Sequence, residues 1–281
     1  MKPFFTIIIP TLNEEKFVGK LLTDLVKQTY NDFEIILVDA RSEDMTVSVV
    51  KKYIPHLPIK RIIQTKGRNV SKQRNAGAKI AHGSYLVFLD ADARIRSNFF
   101  KNLHLYITTY KGLLFLPGLS STKQDPQINV AIDFSNAFVA LSHKIGRPFS
   151  TGGSMIVEKN FFYLIGGFPE DVTMSEDHLL VHNAYKYGVN ARFLSKIKVN
   201  FSLRRFKREG KLKLLYKYIK STLYFLAKGK VDKKVIEYEM GGQLYNKTSK
   251  KMFSDLIRIN PKKLLFRFNK TVKSLLRELE S

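Results

Sequence analysis

The feature that most constrains this chain is one alternation, repeated through its first ninety residues: an apolar run, a polar turn, then a segment with helical spacing. Residues 5–9, Phe-Thr-Ile-Ile-Ile, are apolar but for Thr6, mostly β-branched, and stop at Pro10, the pattern of a strand buried on both faces. Phe17, Val18, Leu21, Leu22 and Leu25 then recur at helical spacing, which predicts an amphipathic helix over about 15–28. The same reasoning predicts strands over 34–38, 59–64 and 85–89, with helices over 46–53, stopped near Pro55, and 71–81, ended by Gly83. Strand and helix alternating four times predict an α/β fold with a parallel, doubly wound sheet.

The turns after these runs carry oxygen-rich side chains. Pro10-Thr11-Leu12-Asn13-Glu14 follows the first run, Asp39 closes the second, Asp90-Ala91-Asp92 follows the run at 85–89, and Glu176-Asp177 comes further on. Open α/β sheets bind ligands beyond the exits of parallel strands. Carboxylates repeated there suit a metal ion, a ribose and a reacting hydroxyl. Beyond Phe99 the rhythm changes. Strands are expected over 113–117 and 155–158, a helical stretch over 130–143 between them, and a helix over 179–187 after the acid pair. From about residue 212 the pattern is amphipathic and basic: Leu214, Leu215, Tyr218, Ile219, Thr222, Leu223 and Leu226 share one face, bordered by lysines, and a second such helix is expected over 262–279.

Composition sets the outer bounds. A chain of 281 residues, 44% hydrophobic and 12% aromatic, can bury the core of one large α/β domain and a modest appendage. Without cysteine, disulfides, thiolate zinc sites and thiol catalysis are excluded. The start reads into a strand without a signal-peptide pattern, and no stretch approaches the roughly 18 apolar residues of a spanning helix. The expectation is a cytoplasmic protein, peripheral on the inner face of the membrane if it meets one. Charge is uneven: from Lys196 onward 24 Lys or Arg stand against 7 Asp or Glu, +17 of the chain's +24. Such asymmetry marks a footprint for an anionic partner, a nucleic acid or an anionic membrane surface.

In this order the motifs resemble the family 2 glycosyltransferases, the inverting group with the GT-A fold. The resemblance runs through Ile7 to Glu14, Val38 to Thr46, Arg74-Asn75-Ala76-Gly77, Phe88 to Asp92, Thr151-Gly152-Gly153-Ser154, Gly166-Gly167-Phe168 and Glu176-Asp177, over roughly residues 4–206. It implies a glycosyltransferase domain over 1–205, with a nucleotide-binding half (1–98) and an acceptor half (99–205), followed by a basic helical tail over 206–281. It also implies a divalent metal, Mg²⁺ or Mn²⁺, held by Asp92 with Asp90 nearer the ribose or sharing the ion, since hard cations bridge carboxylate and diphosphate oxygens. The nucleotide-sugar site would comprise Pro10, Thr11, Asn13, Glu14, Asp39, Arg74, Asp90, Ala91, Asp92 and Gly153. In it Asp39 accepts from the base and Arg74 touches base or diphosphate. Asp177 would be the general base, with Glu176 orienting it or touching the acceptor.

Bland roles compete for several of these positions. Asn13 and Glu14 also read as a helix cap and first-turn acid, Asp44 and Ser42 read as caps of the next helix, and His178 reads as a packed or solvated imidazole. The channel-lining signature of processive members is missing, for the chain has no tryptophan and only Ser202-Leu203-Arg204-Arg205-Phe206 echoes it. The resulting expectation is metal-dependent, inverting transfer from a UDP- or GDP-sugar to a lipid-linked glycan or polyprenyl phosphate at an anionic bilayer. A nucleic-acid-binding protein using the basic tail is the alternative, but no nucleic-acid-binding signature supports it. An NAD-dependent oxidoreductase lacks its G-x-G-x-x-G after the first strand.

Overall fold

The computed structural model describes residues 2–121, 126–144, 148–150, 152–172, 175–202 and 204. The described residues up to 171 and over 176–202 belong to the first of two compact units. The first unit opens with β1 (Phe5–Thr11), α1 (Val18–Val26), β2 (Phe33–Asp39), α2 (Thr46–Lys51), β3 (Ile59–Gln64), α3 (Val70–Lys79) and β4 (Tyr85–Phe88). It continues with α4 (Phe99–Tyr110), β5 (Leu114–Ser120), α5 (Pro126–Lys144), β6 (Met155–Glu158), α6 (Lys159–Leu164), α7 (Glu176–Lys186) and β7 (Arg192–Asn200). The basic helices expected beyond residue 206 lie outside the described residues.

The strands form one sheet in the order β3-β2-β1-β4-β6-β5-β7. From β1 the chain steps outward to β2 and β3, then crosses back over β1 to β4, all four parallel. That reversal opens a crevice beyond the exits of β1 and β4. Strand β6 runs antiparallel to β4 and pairs Phe88 with Met155. Antiparallel pairing sets the start of one strand beside the end of the other, so Gly152-Gly153-Ser154 arrives next to Asp90.

Every residue of β1 and β2 is buried, as continuous apolar runs in a parallel sheet require. The polar side chains among them are paired: Glu34 accepts from the Thr6 hydroxyl at 2.7 Å and from the His82 backbone N–H at 2.6 Å. Burial works to raise the Glu34 carboxyl, yet these hydrogen bonds hold it below its ordinary value. Helix α3 lies over β1 and β2, and Gly77 makes the close approach possible. A Cβ there would stand 2.6 Å from Ile8 Cγ2 and 3.1 Å from Val38 Cγ2, both on stiff, buried β-branched side chains.

Several expected bounds move. Helix α1 starts three residues late because 14–17 form a turn, in which the Glu14 carbonyl accepts from the Phe17 and Val18 N–H groups at 2.9 Å each. Strand β5 continues through Pro117, which the periodicity took as its end. Its pairing with β6 stops at Phe115, and its register with β7 shifts at Pro117/Gly118, so the missing N–H falls at a bulge. The same shift skips residues 195–197 of β7 and breaks the alternation that would have betrayed that strand. Helices α4 and α6 were not anticipated either, although α4 buries Phe99, Phe100, Leu103 and Ile107 at helical spacing.

Gly77→Ala tests the helix-on-sheet contact. Alanine gains up to about 1 kcal/mol of helix propensity, while overpacking costs about 1–3 kcal/mol. A net loss of stability in urea unfolding is expected, and unchanged or raised stability would refute the contact.

Candidate functional site

Two groups of side chains line the crevice. At the exits of β1 and β2, Asp39 is fully buried and accepts from the Thr11 hydroxyl at 3.0 Å, the Ser42 N–H at 2.8 Å and the Ser42 hydroxyl at 2.5 Å. Ser42 Oγ also accepts from the Asn13 N–H at 2.8 Å. Asn13 adopts φ 54°, a left-handed conformation that asparagine tolerates, and its Oδ1 accepts from the Glu43 N–H at 2.7 Å. Asn13 therefore ties two loops and does not cap α1, whose N-cap is Phe17. Glu14 is buried, and its N–H donates to Thr46 Oγ1 at 2.7 Å. Neither Asp44 nor Ser42 is the cap of α2, whose N-cap is Met45: Asp44 accepts from the Thr46 N–H at 2.9 Å and from the Thr46 hydroxyl in the turn just ahead of the helix, and Ser42 bridges loops.

The second group gathers on Arg74. Its side chain is 2% exposed, Nη2 donates to Asp90 Oδ1 at 2.9 Å, and Nη1 donates to Glu176 Oε1 at 2.9 Å. Nη2 also reaches the Gly153 carbonyl at 3.3 Å, and the guanidinium carbon lies 5.1 Å from the centroid of the buried Phe168 ring. Burial alone would weaken the guanidinium's hold on its proton, but the charges of Asp90, Glu176 and Asp177 outweigh it. A Cβ at Gly153 would stand 2.0 Å from Asp90 Oδ2, so any side chain there would push the Asp90 carboxylate from its place. The neighbouring Asn75 takes hold of the segment that leads to the acid pair: its amide donates to the Phe168 carbonyl at 2.8 Å and Glu170 Oε1 at 2.9 Å, and its Oδ1 accepts from the Phe168 N–H at 3.0 Å.

Glu176 and Asp177 open α7, where negative charge complements the helix dipole. Burial, and then the charge of Asp177, push the Glu176 carboxyl up to about 7, with Arg74 offsetting part of the rise. Burial also works to raise Asp177, but His178, Arg74 and a hydrogen bond from the Ser150 hydroxyl hold it below its ordinary value. At neutral pH Asp177 is therefore the ionised member. His178 is packed: its Nδ1 accepts from the Ser150 N–H at 3.0 Å, and its ring meets Phe149 edge-on at 5.0 Å.

The triplet sits in a tight turn in which the Ala93 N–H donates to the Asp90 carbonyl at 2.9 Å, far ahead of α4, so neither aspartate caps that helix. Ala91 is buried, Asp92 is half-buried, and the Asp90 side chain is 45% exposed toward the crevice despite its bond to Arg74. Two carboxylates with hard oxygen atoms fit Mg²⁺ or Mn²⁺ that takes its other ligands from diphosphate and water. No group of three or more acidic or histidine side chains placed to hold a metal ion occurs among the described residues. The loop after the triplet is fastened to α1 by Asp24, which takes Arg94 at 2.6 and 2.8 Å and the Ile95 N–H at 3.1 Å. A surface groove of about 380 Å³ lies on the outer side of α3, lined by Lys66, Lys72, Lys79 and Glu170 among others, and holds none of the acids just described except Glu170.

Sequence reasoning thus named Asp90, Arg74, Gly153, Glu176 and Asp177, which the fold brings together, and Thr11, Asn13, Glu14 and Asp39, which it gathers at the neighbouring strand exits. It missed Gln73, whose amide donates to the Thr11 and Val38 carbonyls at 2.8 and 2.7 Å and binds the two strand ends to α3. It also missed Ser150 and the task of Phe168. Neither carries a local signal, because each gains its role from a partner distant in sequence.

Comparison with known proteins follows the same residues. The description "Glycosyl transferase family 2" matches residues 6–147, just over half of the chain. The poly(ribitol-phosphate) beta-N-acetylglucosaminyltransferase TarS of Staphylococcus aureus (strain Mu50 / ATCC 700699) is 28% identical over 218 residues, 73% of this chain and 36% of TarS. The uncharacterized glycosyltransferase EpsJ of Bacillus subtilis (strain 168) is 34% identical over 103 residues, 37% of this chain and 30% of EpsJ. The chain spans about a third of the length of these relatives. Among solved structures, S. aureus TarS 1-349 in complex with UDP-GlcNAc gives a TM-score of 0.57 at 25% identity, over 71% of this chain and 58% of that one. The mannosyltransferase PcManGT from Pyrobaculum calidifontis, in complex with GDP-Man and Mn2+, gives 0.59 at 20% identity, over 78% of this chain and 65% of that one. The fold shared with them is the GT-A arrangement expected from the motifs. The matched region runs from β1 through Arg74 and the Asp90-Ala91-Asp92 turn, and on that match the chain belongs to glycosyl transferase family 2.

Proposed function

We propose that the chain transfers a sugar from a UDP- or GDP-linked donor to an acceptor hydroxyl with inversion at the anomeric carbon. One observation carries the reading: a carboxylate exposed at the exit of β4, Asp90, and the acid pair Glu176-Asp177 converge on a single buried guanidinium. Donor-side and acceptor-side groups belong within one small volume if a displacement is to run between them. The likeness to TarS bound to UDP-GlcNAc and to a mannosyltransferase bound to GDP-Man supports both donor classes.

Thr11, Asn13, Glu14 and Asp39 would border the nucleoside, and Asp90 and Asp92 would hold the divalent cation. Bound there, Mg²⁺ or Mn²⁺ supplies Lewis-acid stabilisation of the departing diphosphate. Asp177, ionised at neutral pH, takes the proton of the acceptor hydroxyl as that oxygen bonds to the anomeric carbon and the bond to the nucleoside diphosphate breaks. Glu176, anchored to Arg74, orients its neighbour.

The acceptor belongs to the glycan or lipid-linked class. The similarity to a poly(ribitol-phosphate) glycosyltransferase supports an acceptor that carries phosphate. We assign the glycosyltransferase domain to about residues 1–205. The basic segment 206–281 is proposed to rest on an anionic bilayer at the cytoplasmic face, where each basic side chain near the surface contributes about 1 kcal/mol.

Three measurements test the reading. A screen of UDP- and GDP-sugars with and without Mg²⁺ or Mn²⁺ should show metal-dependent binding and slow hydrolysis, and Asp92→Asn should weaken nucleoside diphosphate binding only when the metal is present. Unchanged metal dependence in the variant would remove Asp92 from the ligand set. Asp177→Asn should cut transfer about 10²- to 10⁴-fold with donor affinity nearly intact; a defect confined to donor binding would make Asp177 a donor contact. Ending the chain at residue 212 should abolish co-sedimentation with anionic vesicles and preserve UDP or GDP binding, and equal sedimentation of both forms would refute the membrane role.

A further inference from the structure

We infer that Arg74 is a positioning residue that ties the donor-side carboxylate Asp90 to the acceptor-side pair Glu176-Asp177, holding both halves of the displacement in one register. This rests on the glycosyltransferase reading above. The sequence pointed instead to a direct contact with the nucleotide. At 2% exposure the guanidinium offers almost no surface to a ligand, and both terminal nitrogens already donate to carboxylates at 2.9 Å. Its plane lies by Phe168, and Nη2 adds the Gly153 carbonyl at 3.3 Å, so four segments of the chain fix its orientation. A planar fork with divergent donors can bridge two carboxylates rigidly, which a lysine ammonium on a flexible stem cannot.

The arrangement is more than a structural ion pair. The Asp90 side chain is 45% exposed although its partner is buried, so Arg74 grips one oxygen from below and presents the carboxylate to the crevice. Glu176 is 14% exposed and adjoins the residue assigned as base. The same helix also holds the loop at 168–170, through Asn75 and its bonds to Phe168 and Glu170. Without Arg74, Asp90 is free to change rotamer and Glu176 loses its charged partner. The two acid sets then drift relative to each other while the nucleoside border at Thr11 and Asp39 is untouched. Displacements near 1 Å can cost about 10²-fold in rate.

The test uses the full chain with Arg74→Lys and Arg74→Ala, measuring Mn²⁺-dependent UDP and GDP affinity by calorimetry beside kcat and KM. Arg74→Lys should lose about 10²-fold in kcat, while Mn²⁺-dependent nucleoside diphosphate affinity falls less than about tenfold, a single 1.4 kcal/mol step, because Asp92 and the nucleoside border stay in place when Asp90 loosens. Guanidinium ion at millimolar concentration should partly restore the kcat of Arg74→Ala, with methylammonium as the inactive control. Weakened nucleotide affinity at intact kcat would restore Arg74 to the donor contacts, and an unimpaired Arg74→Lys would make it structural only; either overturns the inference. If Arg74→Lys does not fold, Arg74→Met combined with Glu176→Gln removes the buried unpaired charge. That pair should keep nucleotide binding and lose transfer, and retained transfer would overturn the tie. If the wild type binds no nucleoside diphosphate, the functional reading fails by itself. The tie is then judged by a double-mutant cycle in unfolding: non-additive losses for Arg74→Met and Glu176→Gln sustain it, and additive losses overturn it.

Discussion

A buried guanidinium must be matched by charge and hydrogen bonds where it sits, because desolvating an unpaired ion costs several kcal/mol. Arg74 imposes that demand on this fold. It points inward from the middle of α3, and its terminal donors are met by Asp90 beyond β4, by Glu176 at the start of α7 and by the carbonyl of Gly153 before β6. These groups lie between 16 and 102 residues away in sequence, so only the assembled sheet brings them together. Folding and site construction are thus one event: the arginine cannot be buried until the acids have arrived.

Two features of the sheet allow that arrival. The crossover from β3 back to β4 puts α3 over β1 and β2, with its inward face toward the crevice. Gly77 lets the helix settle close to Ile8 and Val38, and Gln73 pins it to the ends of β1 and β2. The antiparallel entry of β6 then turns the Gly152-Gly153 segment toward the triplet, where glycine leaves the Asp90 carboxylate in place. The motif Arg74-Asn75-Ala76-Gly77 therefore has a physical meaning at three of its four positions. Arginine gathers the acids, asparagine holds the 166–171 loop, and glycine sets the depth of the helix.

The parallel half of the fold was legible because β1, β2 and β4 are buried, so their apolar runs are continuous, with Asp39 closing β2 and Asp90 just beyond β4; β1 alone outruns its expected stop at Pro10, pairing Pro10 and Thr11 with Val38 and Asp39. The second half was harder to read for local reasons. Pro117 looks like a strand end until the partner strands are known, since only the shift at Pro117/Gly118 shows that no N–H is required there. Strand β7 hides its alternation behind the same bulge, and Phe99 to Ile107 carried a helical period that the change of rhythm obscured. At the site, the acids could be named because carboxylates at strand exits have few other uses. Their coupling through Arg74 could not, since hydrogen-bond partners about a hundred residues apart leave no spacing to find.

The same contacts separate the acids by what remains available on each. Asp39 has no exposure and takes three protein donors, Thr11 and both groups of Ser42, so at most one of its roughly four acceptor positions is left for a ligand. Asp90 shares one oxygen with Arg74 and keeps nearly half of its side chain in the crevice. Around Arg74 three carboxylates face one guanidinium, and even with the proton that Glu176 takes up near neutral pH the cluster does not carry a positive surplus. Under the reading proposed above, this negative charge would disfavour a bare diphosphate, and a nucleoside diphosphate would enter together with the positive charge of the metal.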